Sequence, residues 1–429
     1  MRNRSMNAIR LVLWLTALSF VSWLLWQPGS GPQIQNHAAS PGYPSSTPPI
    51  VVHYVAPQGD DTGDGSATRP WATIQHAAEA VTAGTMVRVA PGTYIGAVRT
   101  MRSGSPTHGI IFISDVKWGA KIIAPQAYTA WQNNADYTTI EGFDITGDGN
   151  LGILNMGSFV RIVGNHVHDI PAACNADGGA GIDHGNYKAH DNDTIGNLVH
   201  DIGNINVPCQ RIHGIYHTNV RGHIWNNIVC STPGYGIHLW HTPANVVVAN
   251  NLVFHNGSGG IYVGASETAD GVTADDMVVT NNIVIDNGAW GPGWGIVESG
   301  RIGGHNLYSN NIVWRNRRGV ALETGHAVGT VNSDPKLLRY MDDGSGDYHL
   351  AAASPAIRAG IQTGTPPIDF DGHARPADQP PDIGPYQFSN ALPIWPFSYQ
   401  ARLPSRPATN KVNDHPCRAT LAEHWISAG

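Results

Sequence analysis

One position of a repeated tetrapeptide carries side chains suited to moving protons at carbon. The tetrapeptides GIDH, GIYH, GIHL, GIYV, GIVE and GVAL begin at Gly181, Gly214, Gly236, Gly260, Gly295 and Gly319. Along a strand, side chains alternate between faces. Placing Ile182, Ile215, Ile237, Ile261 and Ile296 inside puts Asp183, Tyr216, His238, Tyr262 and Val297 outside. Asp183 or His238 could take a proton α to a carboxylate, and Tyr216 or Tyr262 could donate one to a leaving oxygen. A uronic-acid polymer needs that chemistry. β-Elimination removes the C5 proton and expels the O4 linkage, whereas epimerisation returns a proton from the other face. The substrate carboxylate needs a neutralising partner, for which Lys188, Arg211 and Arg221 are the nearby cations. Trp240 and the tyrosines offer flat surfaces for sugar rings.

The inward neighbours of this column read His184, His217, Leu239, Val263 and Glu298. His184 and His217 either join the site or hydrogen-bond to each other in the core. A buried Glu298 needs a partner, either Arg301 or an outward turn of its strand. His213 and His217 are four apart, but the zinc logic of that spacing belongs to helices. No metal site is therefore expected from them. His168 and His200, in the two VHDI segments, read as turn residues of the repeat. Trp290, Pro292 and Trp294 in NGAWGPGWG form either a sugar-stacking loop or a wedge against their own coil. A glycosidase would need two carboxylates about 5–10 Å apart. Asp183 with Glu298 or Glu323 is the pairing on offer, and the intervening coils make it too wide.

The elements that must position these residues follow from a second repeat. GNHVHDI, GNLVHDI, NNIVCST, NNLVFHN, NNIVIDN and NNIVWRN share Asn165, Asn197, Asn227, Asn251, Asn282 and Asn311, spaced by 32, 30, 24, 31 and 29 residues. Short β-branched strands between Asn/Gly turns leave no room for long helices. One such unit cannot bury its apolar face, but a stack can. Stacking at about 4.8 Å per coil turns equivalent residues into ladders. The expected fold is all-β, a single-stranded right-handed parallel β-helix, with the asparagines hydrogen-bonded along the stack. Composition agrees: 50 glycines and 29 prolines in 429 residues, with only 13% charged residues, exclude a helical bundle. A net charge of −7 without a basic domain gives no expectation of a nucleic-acid partner. Of four cysteines, Cys174, Cys209, Cys230 and Cys417, none forms a CxxC pair. Cys174–Cys209 is the expected disulfide in an exported chain, and buried thiols are the alternative.

Arg2, Arg4 and Arg10 precede a 16-residue, mostly apolar run, Leu11 to Trp26. Residues 1–27 thus read as an export signal, either cleaved or kept as a membrane anchor. Residues 28–50 are a Pro/Ser-rich linker, 51–388 the β-helix domain, and 389–429 an irregular tail. Either form of the signal places the domain outside the cytoplasmic membrane.

Residues 53–388 resemble the right-handed parallel β-helix proteins that include many polysaccharide lyases. The likeness includes Tyr54 to Gly96, with a helical part, Pro70 to Ala83, similar to the family's N-terminal capping helix. The end segment DYHLAAASPAIRAG…IDFDGHARP…DIGPYQF resembles the family's last coils. AGIDHG, Ala180 to Gly185, is also similar to the YGFDPH-like stretch of mannuronan C-5-epimerases and their alginate-lyase relatives. Gly181, Ile182 and Asp183 match it. Ala180 stands where the tyrosine would be, the proline is missing, and His184 falls one residue early. The resemblance implies Asp183 as a site residue, with His184 beside it and Tyr216 supplying the tyrosine. It implies a monomeric enzyme acting on an acidic polysaccharide without a cofactor. Other lyases of this fold use a lysine or arginine base with calcium. Lys188 with the two carboxylates of HDND, His190 to Asp193, is the corresponding alternative here. A non-catalytic glycan-binding or structural solenoid is the third.

Overall fold

The computed structural model describes residues 51–266, 271–341 and 346–389, with residues 391 and 394. The signal segment 1–27, the linker 28–50, Cys417 and most of the 389–429 tail lie outside the described residues. Among the described residues, no helix is long and apolar enough to cross a membrane.

The expected right-handed parallel β-helix is present. Each coil adds one parallel strand to each of three sheets. The first face has 11 strands, from Val51–Val55 to Ala327–Val328; the second has nine, from Gly92–Ile95 to Ile312–Trp314; the third has nine, from Val98–Thr100 to Arg318–Ala321. The interior is a column of small branched side chains. On the second face Val167, Val199, Val229, Val253, Val284 and Val313 point inward. The glycine of each GI tetrapeptide packs against this column. A Cβ at Gly214 would stand 2.2 Å from Val229 Cγ1, and one at Gly236 2.4 Å from Val253 Cγ1. Only glycine lets the two faces close.

The capping helix α1, Ile74–Ala80, is shorter than the Pro70 to Ala83 segment that suggested it. Trp71 is bridged to Val55 in extended backbone, so the helix cannot start before Thr73. Thr73 is its N-cap, with Oγ1 accepting from the His76 amide at 3.1 Å. Ile74, Ala77 and Ala78 are its buried residues, and they join the interior core.

Between the first and second faces runs the asparagine column. The backbone N–H of each asparagine donates to the side-chain Oδ1 of the next, from Asn165 to Asn311, at 2.8–3.0 Å. Each Nδ2 donates to the same oxygen, at 2.9–3.2 Å. Each also donates to a carbonyl of the first-face strand one coil earlier, as Asn251 does to Ile224 O at 2.8 Å. A second column, Asn256, Asn287 and Asn316, repeats the pattern between the second and third faces.

The end segment does not continue the coils as its resemblance suggested. Asp347–Leu350 pairs antiparallel with Leu337–Arg339, and the chain then folds back over the outside of the second face. The reason is visible in the outward residues of that face. Leu198, Ile228, Leu252, Ile283, Cys230, Phe254 and Ile285 are apolar and fully buried, covered by Tyr348, Phe370, Ile383 and Tyr386. The first asparagine of each NN pair holds this cover. Asn226, Asn250, Asn281 and Asn310, all at φ between 53 and 58°, donate to Ile368, Asp382, Ile361 and Ala359 carbonyls.

Removing one rung tests the column. Asn251→Ala strips partners from the buried Asn227 side chain and the Ile224 carbonyl, and should cost about 3–5 kcal/mol. Urea unfolding measures it; a loss below about 1 kcal/mol would mean the column does not carry the stack.

Candidate functional site

The third face brings the outward ladder together. The register pairs Asp183 with Tyr216, Tyr216 with His238, and His238 with Tyr262. The four residues are half-buried, while Ile182, Ile215, Ile237 and Ile261 lie inside. The four span about 14 Å on one face at ordinary strand spacing.

Asp183 sits in an apolar setting. Its Oδ1 is out of solvent and has no hydrogen-bond partner. A Cβ at Gly185 would lie 3.1 Å from Leu154 Cδ1, 3.4 Å from Asp183 Oδ1 and 3.6 Å from Met156 Sδ, so these groups crowd the carboxyl. Burial pushes the Asp183 carboxyl up to about 7. Burial likewise pushes the Tyr216 hydroxyl well above its usual range, with the charge of Asp183 adding to the effect. Near neutral pH the pair thus combines a carboxyl poised to exchange a proton with a phenol that keeps its own.

His238 is set in one tautomer by a residue that alternation missed. His213 Nδ1 accepts from the Tyr235 amide at 3.4 Å, so its hydrogen is on Nε2. That Nε2 lies 3.0 Å from His238 Nδ1, which must accept. His238 Nε2 then carries a hydrogen, and it has no partner within the protein. The His213 ring also stacks on Tyr216, centroids 5.0 Å apart. Counting back from Ile215 places His213 inside. Gly214 breaks the count, because it also faces inward against Val229, and His213 turns outward. The signal was the glycine.

The inward histidines do not reach this face. His184 and His217, proposed as catalytic, are fully buried inside the coil. His184 Nδ1 accepts from Asn155 Nδ2 at 3.0 Å, and its Nε2 donates to Thr194 Oγ1 at 2.8 Å. His217 packs beside it, ring centroids 5.1 Å apart. Their strand parity, opposite to Asp183, is the reason. Glu298 is also inside, and its partners are not Arg301. It accepts from Tyr308 Oη at 2.8 Å, Asn306 Nδ2 at 2.9 Å and the Glu323 amide at 2.8 Å. A carboxylate so engaged cannot pair with Asp183.

The cations are spread out. Lys188 is exposed in the loop that follows the Asp183 strand, Gly179–His184, and is the one in the ladder's vicinity. Arg211 ends the loop before the Tyr216 strand, about 16 Å from Tyr216 along the chain, and donates to Ala176 O at 2.9 Å. Arg221 is on the first face, bidentate to Asp191 at 2.9 and 2.6 Å. Neither arginine is brought to the ladder. The tail of the ladder is aromatic. Tyr262 meets His238 edge-on at 4.6 Å, and Trp240 lies 5.7 Å from Tyr262. Gly264 and Gly300 make room for Trp240: a Cβ at either would come within 3 Å of its ring. Trp290 is a wedge, against the coil before its own: a Cβ at Gly257 would stand 2.1 Å from its Nε1. Tyr187, a residue the sequence did not single out, stacks on His241 at 4.0 Å and bonds its Nε2 at 3.0 Å, lining the ladder's other edge.

Two long loops wall the site where the second asparagine column stops. Residues 171–178 and 203–211 precede the Asp183 and Tyr216 strands. The expected Cys174–Cys209 disulfide joins them, and Cys230 is buried under the end segment.

A family model described as a right-handed β-helix region matches residues 211–334. Among solved structures, a pectate lyase superposes with TM-score 0.56 at 15% identity, over 80% of this chain and 98% of its own. The A-module of a mannuronan C-5 epimerase from Azotobacter vinelandii gives TM-score 0.45 at 16% identity, over 60% and 69%. A rhamnogalacturonan lyase gives 0.42 at 17%, over 66% and 85%. No curated protein matches the sequence. The likeness establishes the fold.

The raised Asp183 value has a thermodynamic sign. A carboxyl held above its unfolded value of 3.8 adds stability at low pH, which is lost as pH rises through about 7. Asp183→Asn should therefore raise the melting temperature at about pH 8 and leave it nearly unchanged at about pH 4. Calorimetry at the two values checks this; an equal shift at both would mean the carboxyl is not desolvated.

Proposed function

We propose that the chain is an exported carbohydrate-active enzyme that removes the C5 proton of a uronic-acid polymer, as a lyase or an epimerase. The observation that carries the reading is Asp183: a desolvated carboxyl with an unpartnered oxygen, next to Tyr216 and His238 on one face. A general base works best when its pKa lies near the working pH, and Asp183 meets that condition.

In this reading the Asp183 carboxylate takes the C5 proton. Charge then develops on the substrate carboxylate, and His238 is the donor assigned to it. Lys188 adds a positive charge from the neighbouring loop. Tyr216, kept protonated by burial, delivers a proton to O4 as the glycosidic bond breaks, or to C5 from the opposite face. Tyr262 and Trp240 hold the adjoining sugars. The ladder's place on an open sheet face, not in a closed pocket, suits a polymer. The pectate lyase on a similar fold acts on pectate, as its name states. A hydrolase lacks its second carboxylate: five coils separate Asp183 from the level of Ala321, about 24 Å.

Incubation of residues 50–429 with a panel of uronic-acid polymers tests the proposal. A lyase gives the absorbance of an unsaturated product, and an epimerase gives C5 exchange in deuterated water without absorbance. Asp183→Asn and Tyr216→Phe should each lower the rate by about a hundredfold or more. His238→Ala should cost a similar factor. The wild-type rate should rise with pH through about 7 as Asp183 ionises. Silence of the wild type across the panel, with glycan binding retained, would sink the catalytic reading in favour of a binding solenoid.

A further inference from the structure

The outward residues of the second face change character where the folded-back end segment stops. Downstream they are apolar and covered. Upstream, on the coils of Asn165 and Asn197, three are histidines. His166 and His168 alternate outward around the inward Val167, and the register sets His200 beside His168 and Asp144 beside His166. These are strand residues, not the turn residues that the VHDI repeat suggested. One ring nitrogen from each histidine lies within 4.8 Å of the other two.

The proton accounting of this cluster is unusual. His168 Nδ1 faces Asp169 Oδ2 at 2.7 Å, and His200 Nδ1 faces Asp201 Oδ2 at 2.6 Å. His166 Nδ1 faces Asp144 Oδ2 at 3.5 Å. His168 and His200 thus each hydrogen-bond a carboxylate at Nδ1, and His166 has one facing it there. Yet His166 Nε2 and His200 Nε2 meet at 2.7 Å, and His168 Nε2 meets Asp144 Oδ1 at 3.0 Å. The Nε2 atoms of His166 and His200 point at each other, and a cation between them gives both a partner. Carboxylates on the far nitrogens are the usual second shell of metal-bound histidines. Trp118 closes one side, its ring 5.0 Å from His166, and is held at φ 62° with Nε1 donating to Gly164 O.

We propose that His166, His168 and His200 bind a divalent first-row metal ion, with zinc as the best match. Three imidazoles leave the fourth tetrahedral position to water. Ligand atoms at zinc distances lie about 3.3 Å apart, so the His166–His200 contact opens by about half an ångström. The ligands come from two successive coils, so the ion is a structural staple, on a different face from the Asp183 ladder.

The full chain, stripped with chelator and dialysed, is titrated with zinc chloride by calorimetry and with cobalt(II) by visible spectroscopy. The expected results are one equivalent bound, the intense visible bands of tetrahedral cobalt, and a higher melting temperature with zinc. His168→Gln should abolish the cobalt bands. Asp169→Asn, at an exposed position, should weaken zinc binding about ten- to a hundredfold without unfolding the chain. Asp275→Asn, in the other cluster of Asp275, Asp276 and His305, should change neither. No binding to the stripped wild type would mean that a shared proton, not a metal, holds the histidines. Binding unaffected by both His168→Gln and Asp169→Asn, or lost in Asp275→Asn, would equally overturn the site.

Discussion

The amide of one side chain, repeated at one corner of every coil, sets everything else in place. Each column asparagine satisfies a buried backbone N–H of the coil before it and a buried carbonyl of the first-face strand one coil earlier. A tight corner has no regular ladder to do this, and an unpaired buried peptide group costs about 1–3 kcal/mol. The column therefore fixes where each coil turns. In a parallel stack that also fixes register, and a slip of one residue would send the outward ladder into the core. The alignment of Asp183, Tyr216 and His238 is set by Asn165, Asn197 and Asn227, at the far corner of the same coils.

The second column shows the complementary case. From Asn256 onward it holds the corner between the second and third faces tight. On the coils of Asp183 and Tyr216 it is absent, and the corner opens into two loops joined by a disulfide. Regularity stops where the candidate chemistry is. The same coils hold a desolvated carboxyl and two core imidazoles, each costly to bury. The regular coils on either side provide the rigid frame in which such groups can be kept.

The fold was legible because its signals repeat. A corner asparagine every 24–32 residues and a GI pair in each coil specify a solenoid without any other knowledge. The ladder was legible for the same reason: alternation counted from the isoleucines gave Asp183, Tyr216, His238 and Tyr262 their common face. Reading failed where the period failed. Gly214 turns two consecutive residues inward and so hid His213. Arg211 and Arg221 are close to Tyr216 in sequence but sit at a strand's far end and on another face. The VHDI histidines passed as filler because their partner Asp144 lies one coil earlier, outside the repeat that drew attention. The end segment looked like further coils because it resembles the last coils of other such proteins; only the apolar outer side of the second face explains its reversal.

That reversal alters how the molecule holds together in time. A bare solenoid contacts only its neighbours, so coils can fray from an end one by one. Here Asn226, Asn250, Asn281 and Asn310 are tied to backbone 49 to 142 residues later in the chain. Four coils share one strap. Loosening any of them exposes the apolar cover of all, which makes unfolding of this region cooperative. It also raises the contact order, which slows folding. The coils cannot be sealed until the last hundred residues have emerged.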